Sequence, residues 1–264
     1  MGKDQKFQVA LAQIELKLGA PELNFAAAQN AVVEAAQAGA DIVLLPELWV
    51  SGYDLKNAGK YASQLEAGWF ARMAELAKDH GVALGGSMIE EHEGNLHNTF
   101  LLVDKDGHQL GFYRKAHLFD LIGEKKYFSP GRELAVIQTC WGKIGLALCY
   151  DLRFPELFRA YALSGVKTIL LVAEWPRRRI AHWDALLKAR AIENQYFIAA
   201  VNKVGTSQGE QLGGNSAVLD PMGKVLVKGG ADQGVFLAEI DPKETETVRK
   251  WMPVLKDRNP EVYQ

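Results

Sequence analysis

The chain has 264 residues, 48% of them hydrophobic and 23% charged, with a formal net charge of −2. That length and apolar content suffice for one large α/β domain with a buried core, and no linker, charge block or repeat divides residues 1–264. The near-neutral balance gives no electrostatic reason to expect nucleic acid or an anionic membrane, which leaves small-molecule chemistry as the default.

The charged start, Met1-Gly2-Lys3-Asp4-Gln5-Lys6, lacks the apolar stretch of a signal peptide. No later segment approaches the roughly 20 apolar residues that span a bilayer. Phe7, Val9 and Leu11 alternate with Gln8 and Ala10, which predicts a first strand, and the Ala-rich residues 25–38 predict a helix ending before Gly39. The run Asp41-Ile42-Val43-Leu44-Leu45 is then a buried strand that stops at Pro46 and delivers Glu47 to its own tip. Residues 64–80 carry Leu65, Trp69, Met73 and Leu76 on one face, with Ser63 and Glu66 as a capping box and Gly81 as the stop; Gly68 weakens that helix. Val82-Ala83-Leu84-Gly85-Gly86-Ser87-Met88 is a buried strand. Residues 99–103 and 109–113 flank Asp106-Gly107, a hairpin signal that makes them antiparallel neighbours.

The second of these strands ends in Arg114-Lys115 within an apolar, aromatic setting, so Lys115 also sits at a strand tip. Farther on, Lys143-Ile144-Gly145-Leu146-Ala147-Leu148 stops abruptly at Cys149, where Tyr150-Asp151-Leu152-Arg153-Phe154-Pro155-Glu156 begins a turn and then a helix over 155–163. A thiol at that edge lies where open α/β sheets put their ligands, with the next backbone N–H aimed at a bound oxyanion. Equally, free cysteine is often a small buried hydrophobe. Cys140, in Gln138-Thr139-Cys140-Trp141, has no acid or base near it in sequence and reads as structural. Strand and helix then alternate through Thr168-Ile169-Leu170-Leu171-Val172, a helix over 181–195 and Phe197-Ile198-Ala199-Ala200-Val201, and residues 216–240 hold three short strands around the turn Pro221-Met222-Gly223. Periodicity alone gives an α/β fold with a mixed sheet.

A strand-end Glu, then Lys, then Cys, in that order, resembles the nitrilase (carbon-nitrogen hydrolase) superfamily. The resemblance covers residues 7 to about 240 and rests on Leu45-Pro46-Glu47, Tyr113-Arg114-Lys115-Ala116-His117-Leu118-Phe119 and Cys149-Tyr150-Asp151-Leu152-Arg153-Phe154-Pro155-Glu156. Within the superfamily the chain is most similar to the ω-amidase branch, which includes bacterial 2-oxoglutaramate amidases. The residues carrying that similarity are Glu174-Trp175-Pro176, Arg179, His182-Trp183 and Ala189-Arg190-Ala191-Ile192-Glu193-Asn194-Gln195. The resemblance implies a four-layer αββα sandwich of two face-to-face mixed sheets, dimerised or further oligomerised with copies of itself. It implies an amidase that needs only a small-molecule amide and water, without cofactor; no His/Cys/Asp cluster has metal-ligand spacing in the sequence, so no metal is expected.

On this reading Cys149 attacks the amide carbonyl, and Glu47 takes the thiol proton and later returns it to the departing ammonia. Lys115 and the Tyr150 N–H hold the oxyanion, and the adjacent ammonium lowers the thiol pKa. Glu124 matches the family's second glutamate, which orients the lysine; it also reads as a solvated loop carboxylate. His117, flanked by Ala116 and Leu118, reads as structural rather than as the base of a Cys-His pair. Tyr53, Tyr150 and Trp175 surround the substrate or are ordinary core aromatics. Arg179 is the candidate for a substrate carboxylate, although the run Arg177-Arg178-Arg179 also reads as a solvated face.

Two readings of other kinds compete. A nucleotide-binding module needs a phosphate-cradling glycine motif, and none occurs. A catalytically dead interaction protein predicts loss of one chemical residue, and all three are present. Nitrilases, carbamoyl amidases and deaminated-glutathione amidases share the same three residues, so those residues cannot choose the substrate. With two cysteines, no disulfide framework exists, and free thiols suit the cytoplasm.

Overall fold

The structure, a computed structural model, describes residues 4–262. Strand β1 (Phe7–Gln13) leads through helix α1 (Pro21–Gln37) to β2 (Ile42–Leu44), then through α2 (Ala58–Tyr61) and α3 (Gly68–His80) to β3 (Ala83–His92), β4 (Asn95–Val103) and β5 (Gln109–Arg114). The second half runs β6 (Val136–Thr139), β7 (Gly142–Leu148), α4 (Pro155–Leu163), β8 (Thr168–Ala173), α5 (Ile180–Asn194) and β9 (Phe197–Asn202). It continues with a small hairpin, β10 (Thr206–Ser207) and β11 (Glu210–Gln211), and then β12 (Ala217–Leu219), β13 (Val225–Lys228), β14 (Gly234–Ile240) and α6 (Pro242–Trp251).

Two six-stranded sheets form, in the orders β14-β1-β2-β3-β4-β5 and β13-β12-β9-β8-β7-β6. Each has a parallel centre, β1-β2-β3 in one and β7-β8-β9 in the other, flanked by antiparallel strands. The period of two sorts the side chains between layers. Val9, Leu11, Ile42 and Leu44 point inward against Leu146, Leu148 and Leu170 of the second sheet. Their sequence neighbours Ala10, Ala12 and Val43 point outward beneath Ala28 and Val32 of α1 and Phe70 and Met73 of α3. On the far side, Phe158 and Tyr161 of α4 with Trp183 and Leu187 of α5 cover the second sheet. The result is the four-layer αββα sandwich.

Several boundaries differ from expectation. Helix α1 starts at Pro21 rather than residue 25, because proline is pre-set for the first helical position and lacks an N–H that would go unpaired there. The capping box at Ser63 and Glu66 does not form. Helix α3 begins at Gly68, whose φ of +52° suits glycine, and a Cβ there would lie 2.6 Å from Ser63 Cβ. Ser63 instead bridges to Glu90 of β3. Strand β4 begins earlier than expected, because Glu93 and Gly94, both at positive φ, make a second tight hairpin. Helix α6 was not anticipated, although its signal is local: Asp241 accepts from the Lys243 N–H and Pro242 follows it. Cys140 lies exposed in the β6–β7 turn, not buried as a structural cysteine.

Candidate active site

Three loops at strand ends meet at one edge of the two sheets. The first follows β2. Leu45 N–H pairs with Gly85 O at 2.7 Å, Leu48 takes a positive φ of 45°, and its N–H reaches Ser87 Oγ at 2.9 Å. Gly86 lets β3 pass directly beneath: a Cβ there would meet Leu45 Cβ at 3.0 Å and the Trp49 ring at 3.1 Å. Glu47 is therefore held on a rigid tip, wholly buried. The second loop follows β5, where Lys115 N–H donates to Asn98 O and Lys115 O accepts from Gly131 N–H, each at 2.9 Å. The third follows β7. Cys149 takes a φ of +41° and opens a 3₁₀ turn, Cys149–Arg153. A non-glycine residue held there costs of order 1–3 kcal/mol and persists because its surroundings fix it.

Asp151 does much of that fixing. Its buried carboxylate accepts from Leu148 N–H and Tyr113 OH, both at 3.0 Å, and from His117 N–H at 3.1 Å, with His117 Nδ1 at 2.7 Å. His117 stacks on Phe154 with ring centres 3.7 Å apart. It ties the lysine loop to the cysteine turn and is structural, as its setting implied.

At the centre Lys115 Nζ lies 2.8 Å from Glu47 Oε1 and 2.8 Å from Glu124 Oε1, with all three side chains fully buried. Glu124 is not a solvated loop carboxylate: its Oε2 accepts the Phe119 N–H at 2.6 Å, and Tyr53 OH donates to it. Glu47 Oε1 also accepts from Asn98 Nδ2 at 2.8 Å and contacts Tyr53 OH at 3.0 Å, while Oε2 accepts the Glu174 N–H at 3.0 Å. The Glu174 carbonyl in turn receives the Cys149 thiol at 3.8 Å. Burial alone would push the Lys115 ammonium down, but the Glu124 and Glu47 carboxylates outweigh it and hold its pKa above the ordinary lysine value.

The expectation of a thiol acidified by its lysine neighbour needs correction. Burial and the Glu47 carboxylate push the Cys149 pKa well above the usual thiol value, and the Lys115 charge opposes them only in part. Cys149 is therefore expected to rest as a thiol, with deprotonation coupled to attack. At neutral pH the wild type and Cys149→Ala should show the same ultraviolet thiolate absorbance. A thiolate band lost in Cys149→Ala would contradict this.

Removing the central ammonium should be severe on two counts. Lys115→Met leaves two carboxylates buried without their cation, a change worth about 3–5 kcal/mol of stability. If Lys115 holds the oxyanion as the family resemblance implies, it would also cost the rate a donor typically worth roughly 2.7–4 kcal/mol. Thermal melting and ammonia release measure the two separately, and activity within about threefold of wild type would place the ammonium outside the chemistry.

Beside Cys149 opens a cleft, partly continuous with solvent, walled by Phe119, Tyr150, Trp175, Pro176 and Leu212. All four residues expected around the substrate, Tyr53, Tyr150, Trp175 and Arg179, line it. Trp175 is fixed at both ends: its Nε1–H donates to Arg179 O at 2.8 Å, and its N–H donates to Asn202 Oδ1 at 2.6 Å. The arginine run is not one solvated face. Arg178 pairs with Glu210 at 3.0 Å and Arg177 with Gln211 at 3.2 Å, whereas Arg179 has no carboxylate partner among the described residues and lies 5.4 Å above the Phe119 ring.

The sequence assigned no role to Asn98, Asp151 or Glu174, whose hydrogen bonds hold the site, nor to Arg153, which lines the cleft. The turn joining β4 and β5 brings Asp104, Asp106 and His108 within ligand distance of one another, contrary to the expectation that no His/Cys/Asp cluster has metal-ligand spacing. Asp104 Oδ1 there accepts the N–H groups of Asp106 and His108, an ordinary Asx turn at the surface.

Comparison with known proteins gives a consistent picture. The family model described as Carbon-nitrogen hydrolase matches residues 8–250. The 2-oxoglutaramate amidase of Bacillus subtilis is 38% identical over 259 residues, covering 98% of this chain and 100% of that one. Omega-amidase NIT2 of Mus musculus is 34% identical, covering 97% and 96%. Among solved structures, a mutant amidase from Nesterenkonia sp. AN1 superimposes with a TM-score of 0.86 at 28% identity, covering 97% of this chain and 95% of that one; it shows covalent addition of the acetamide moiety of fluoroacetamide at its active site cysteine.

Proposed function

The chain belongs to the carbon-nitrogen hydrolase family, and from that premise we propose that it is an ω-amidase, hydrolysing a short dicarboxylic monoamide such as 2-oxoglutaramate or 2-oxosuccinamate. The observation that carries the chemistry is the buried Lys115 ammonium held equally by Glu47 and Glu124 beside a nucleophile on a strained strand end.

Cys149 Sγ attacks the amide carbonyl as Glu47 takes the thiol proton, which avoids a free thiolate in a site that disfavours one. Lys115 Nζ and the Tyr150 N–H hold the developing oxyanion; Tyr150 stands in the first turn of the 3₁₀ segment, where a backbone N–H has no partner within the turn. Collapse breaks the C–N bond, and Glu47 protonates the departing nitrogen, releasing ammonia. Water then adds to the thioester, its proton again passing to Glu47, and the thiol regains that proton as the carboxylic acid leaves. One amide and one water become one acid and one ammonia. Tyr53, bonded to both carboxylates, and Glu124 keep the lysine in place.

For the substrate, the support is the 2-oxoglutaramate amidase relative together with an arginine in the cleft that lacks a carboxylate partner among the described residues. Arg179→Met should raise KM for 2-oxoglutaramate by roughly 10- to 100-fold, because a charged group loses its charge-assisted partner. An uncharged amide of similar length should change little. Ammonia release across 2-oxoglutaramate, 2-oxosuccinamate, glutamine, asparagine, simple nitriles and carbamoyl amino acids tests the reading, and faster turnover of a nitrile or carbamoyl compound would overturn it.

The reading takes the chain as one carbon-nitrogen hydrolase unit acting in the cytoplasm as a homodimer or larger homo-oligomer. Leu163, Ile192 and Trp251, exposed on α4, α5 and α6, support self-association. No helix among the described residues is long and apolar enough to cross a membrane.

A further inference from the structure

Three guanidinium groups line the cleft beside Cys149: Arg153, Arg178 and Arg179. Arg178 is occupied by Glu210. Arg153 and Arg179 have no carboxylate partner among the described residues. They are nonetheless close enough to feel one another, since the Arg153 charge contributes, after burial and Arg178, to pushing the Arg179 pKa down.

Arg153 is held for use. It closes the same 3₁₀ turn that Cys149 opens, so its backbone is fixed in the same short segment as the nucleophile's. Its guanidinium stacks 4.7 Å above the Trp175 ring, and Nη2 lies 3.4 Å from His182 Nδ1 in the first turn of α5. Trp175 is 3% exposed and is itself bonded to the Arg179 carbonyl, so Arg153, Trp175 and Arg179 form one connected wall. Stacking leaves the planar edge of a guanidinium free to donate. Two like charges kept together on a rigid wall repel until an anion lies between them.

We propose that Arg153 and Arg179 are the two jaws of a clamp for the substrate's far carboxylate, and that Arg153 is thereby a specificity-determining residue favouring 2-oxo acid amides over amino acid amides. The inference rests on the ω-amidase reading. A 2-oxo acid presents three coplanar oxygen acceptors, two on the carboxylate and one on the ketone. One fork takes two of them side by side and the second guanidinium completes the set. An amino acid amide such as glutamine replaces the ketone by an ammonium group, which two guanidinium charges repel. The clamp selects the substrate class at the end remote from the scissile bond.

The test compares kcat and KM of wild type, Arg153→Met and Arg153→Lys with 2-oxoglutaramate, glutaramate, glutamine and the neutral pentanamide. Arg153→Met should raise KM for 2-oxoglutaramate by roughly 10- to 100-fold while pentanamide stays within about threefold. Its preference for 2-oxoglutaramate over glutamine should fall, and Arg153→Lys should recover part of the loss because the charge survives without the fork. Equal losses on 2-oxoglutaramate and pentanamide, or an unchanged preference over glutamine, would overturn the clamp. A wild type that prefers pentanamide or glutamine would overturn the ω-amidase reading itself. Should Arg153→Met fail to fold, competitive inhibition of wild type decides: glutarate should compete at least about tenfold better than glutaramide, and equal inhibition would overturn the proposal.

Discussion

Cys149→Ala is expected to lower ammonia release by about 10⁴-fold or more, because deleting the nucleophile removes the covalent route rather than weakening it. The fold should survive. The substitution deletes one sulfur from a buried site, where the thiol makes a single long contact to Glu174 O at 3.8 Å. Alanine carries the same backbone cost at a φ of +41° as cysteine does, so the strain of the turn is unchanged. The melting temperature should therefore lie within a few degrees of wild type. Substantial residual turnover in a folded Cys149→Ala protein would remove Cys149 from the chemistry.

Glu47→Gln should be nearly as damaging, by about 10²–10⁴-fold in kcat, since an amide neither accepts the thiol proton nor returns it to nitrogen. Its second consequence follows from the hydrogen bonds. Glu47 Oε1 faces Lys115 Nζ, Asn98 Nδ2 and Tyr53 OH, and Oε2 faces the Glu174 N–H. Every partner except the adaptable tyrosine can only donate, and glutamine has one accepting oxygen. Whichever way its amide turns, an NH₂ group meets a donor in a buried site, and an unsatisfied buried donor costs about 1–3 kcal/mol. Glu47→Gln should thus melt below Cys149→Ala while remaining folded. Turnover close to wild type would give the proton transfers to another group.

The three residues to which the proposed mechanism gives the chemistry were legible because each stands where an apolar run breaks. Pro46 ends the run before Glu47, the Arg114-Lys115 pair ends β5, and Leu148 is the last apolar residue before Cys149. Local order suffices to mark such a site. What holds the site was not legible, because it depends on pairings across the sheets. Asn98 sits on β4, 51 positions from the Glu47 carboxylate it bonds, and only the antiparallel register of β4 with β5 places it beside Lys115. Glu174 acts through its backbone, which no side-chain pattern marks. Asp151 lay within a recognised motif, yet its work in tying Leu148, Tyr113 and His117 together appears only when three segments converge.

The fold shows the same division. Strands with alternating inward and outward side chains follow from period-two runs and their arrangement as two face-to-face sheets only from the family resemblance, whereas Ser63 and Glu66 offered a helix start that lost to tertiary pairing. Ser63 bonds along β3 through its backbone, and the left-handed Gly68 begins the helix five residues later. The arginine run likewise resolved only in three dimensions, with Glu210 claiming Arg178 and the cleft receiving Arg179. Arg153, embedded in the cysteine motif, gave no sign in sequence that its side chain turns back toward the same cleft.

The measurement that bears most directly on the mechanism is mass spectrometry of wild-type enzyme quenched during turnover of 2-oxoglutaramate. The peptide containing Cys149 should carry an added acyl group, lost on longer incubation as water hydrolyses the thioester, and the peptide containing the exposed Cys140 should carry none. An adduct confined to Cys140, or steady ammonia release with no adduct on Cys149 when trapping is efficient, would contradict a thioester at Cys149.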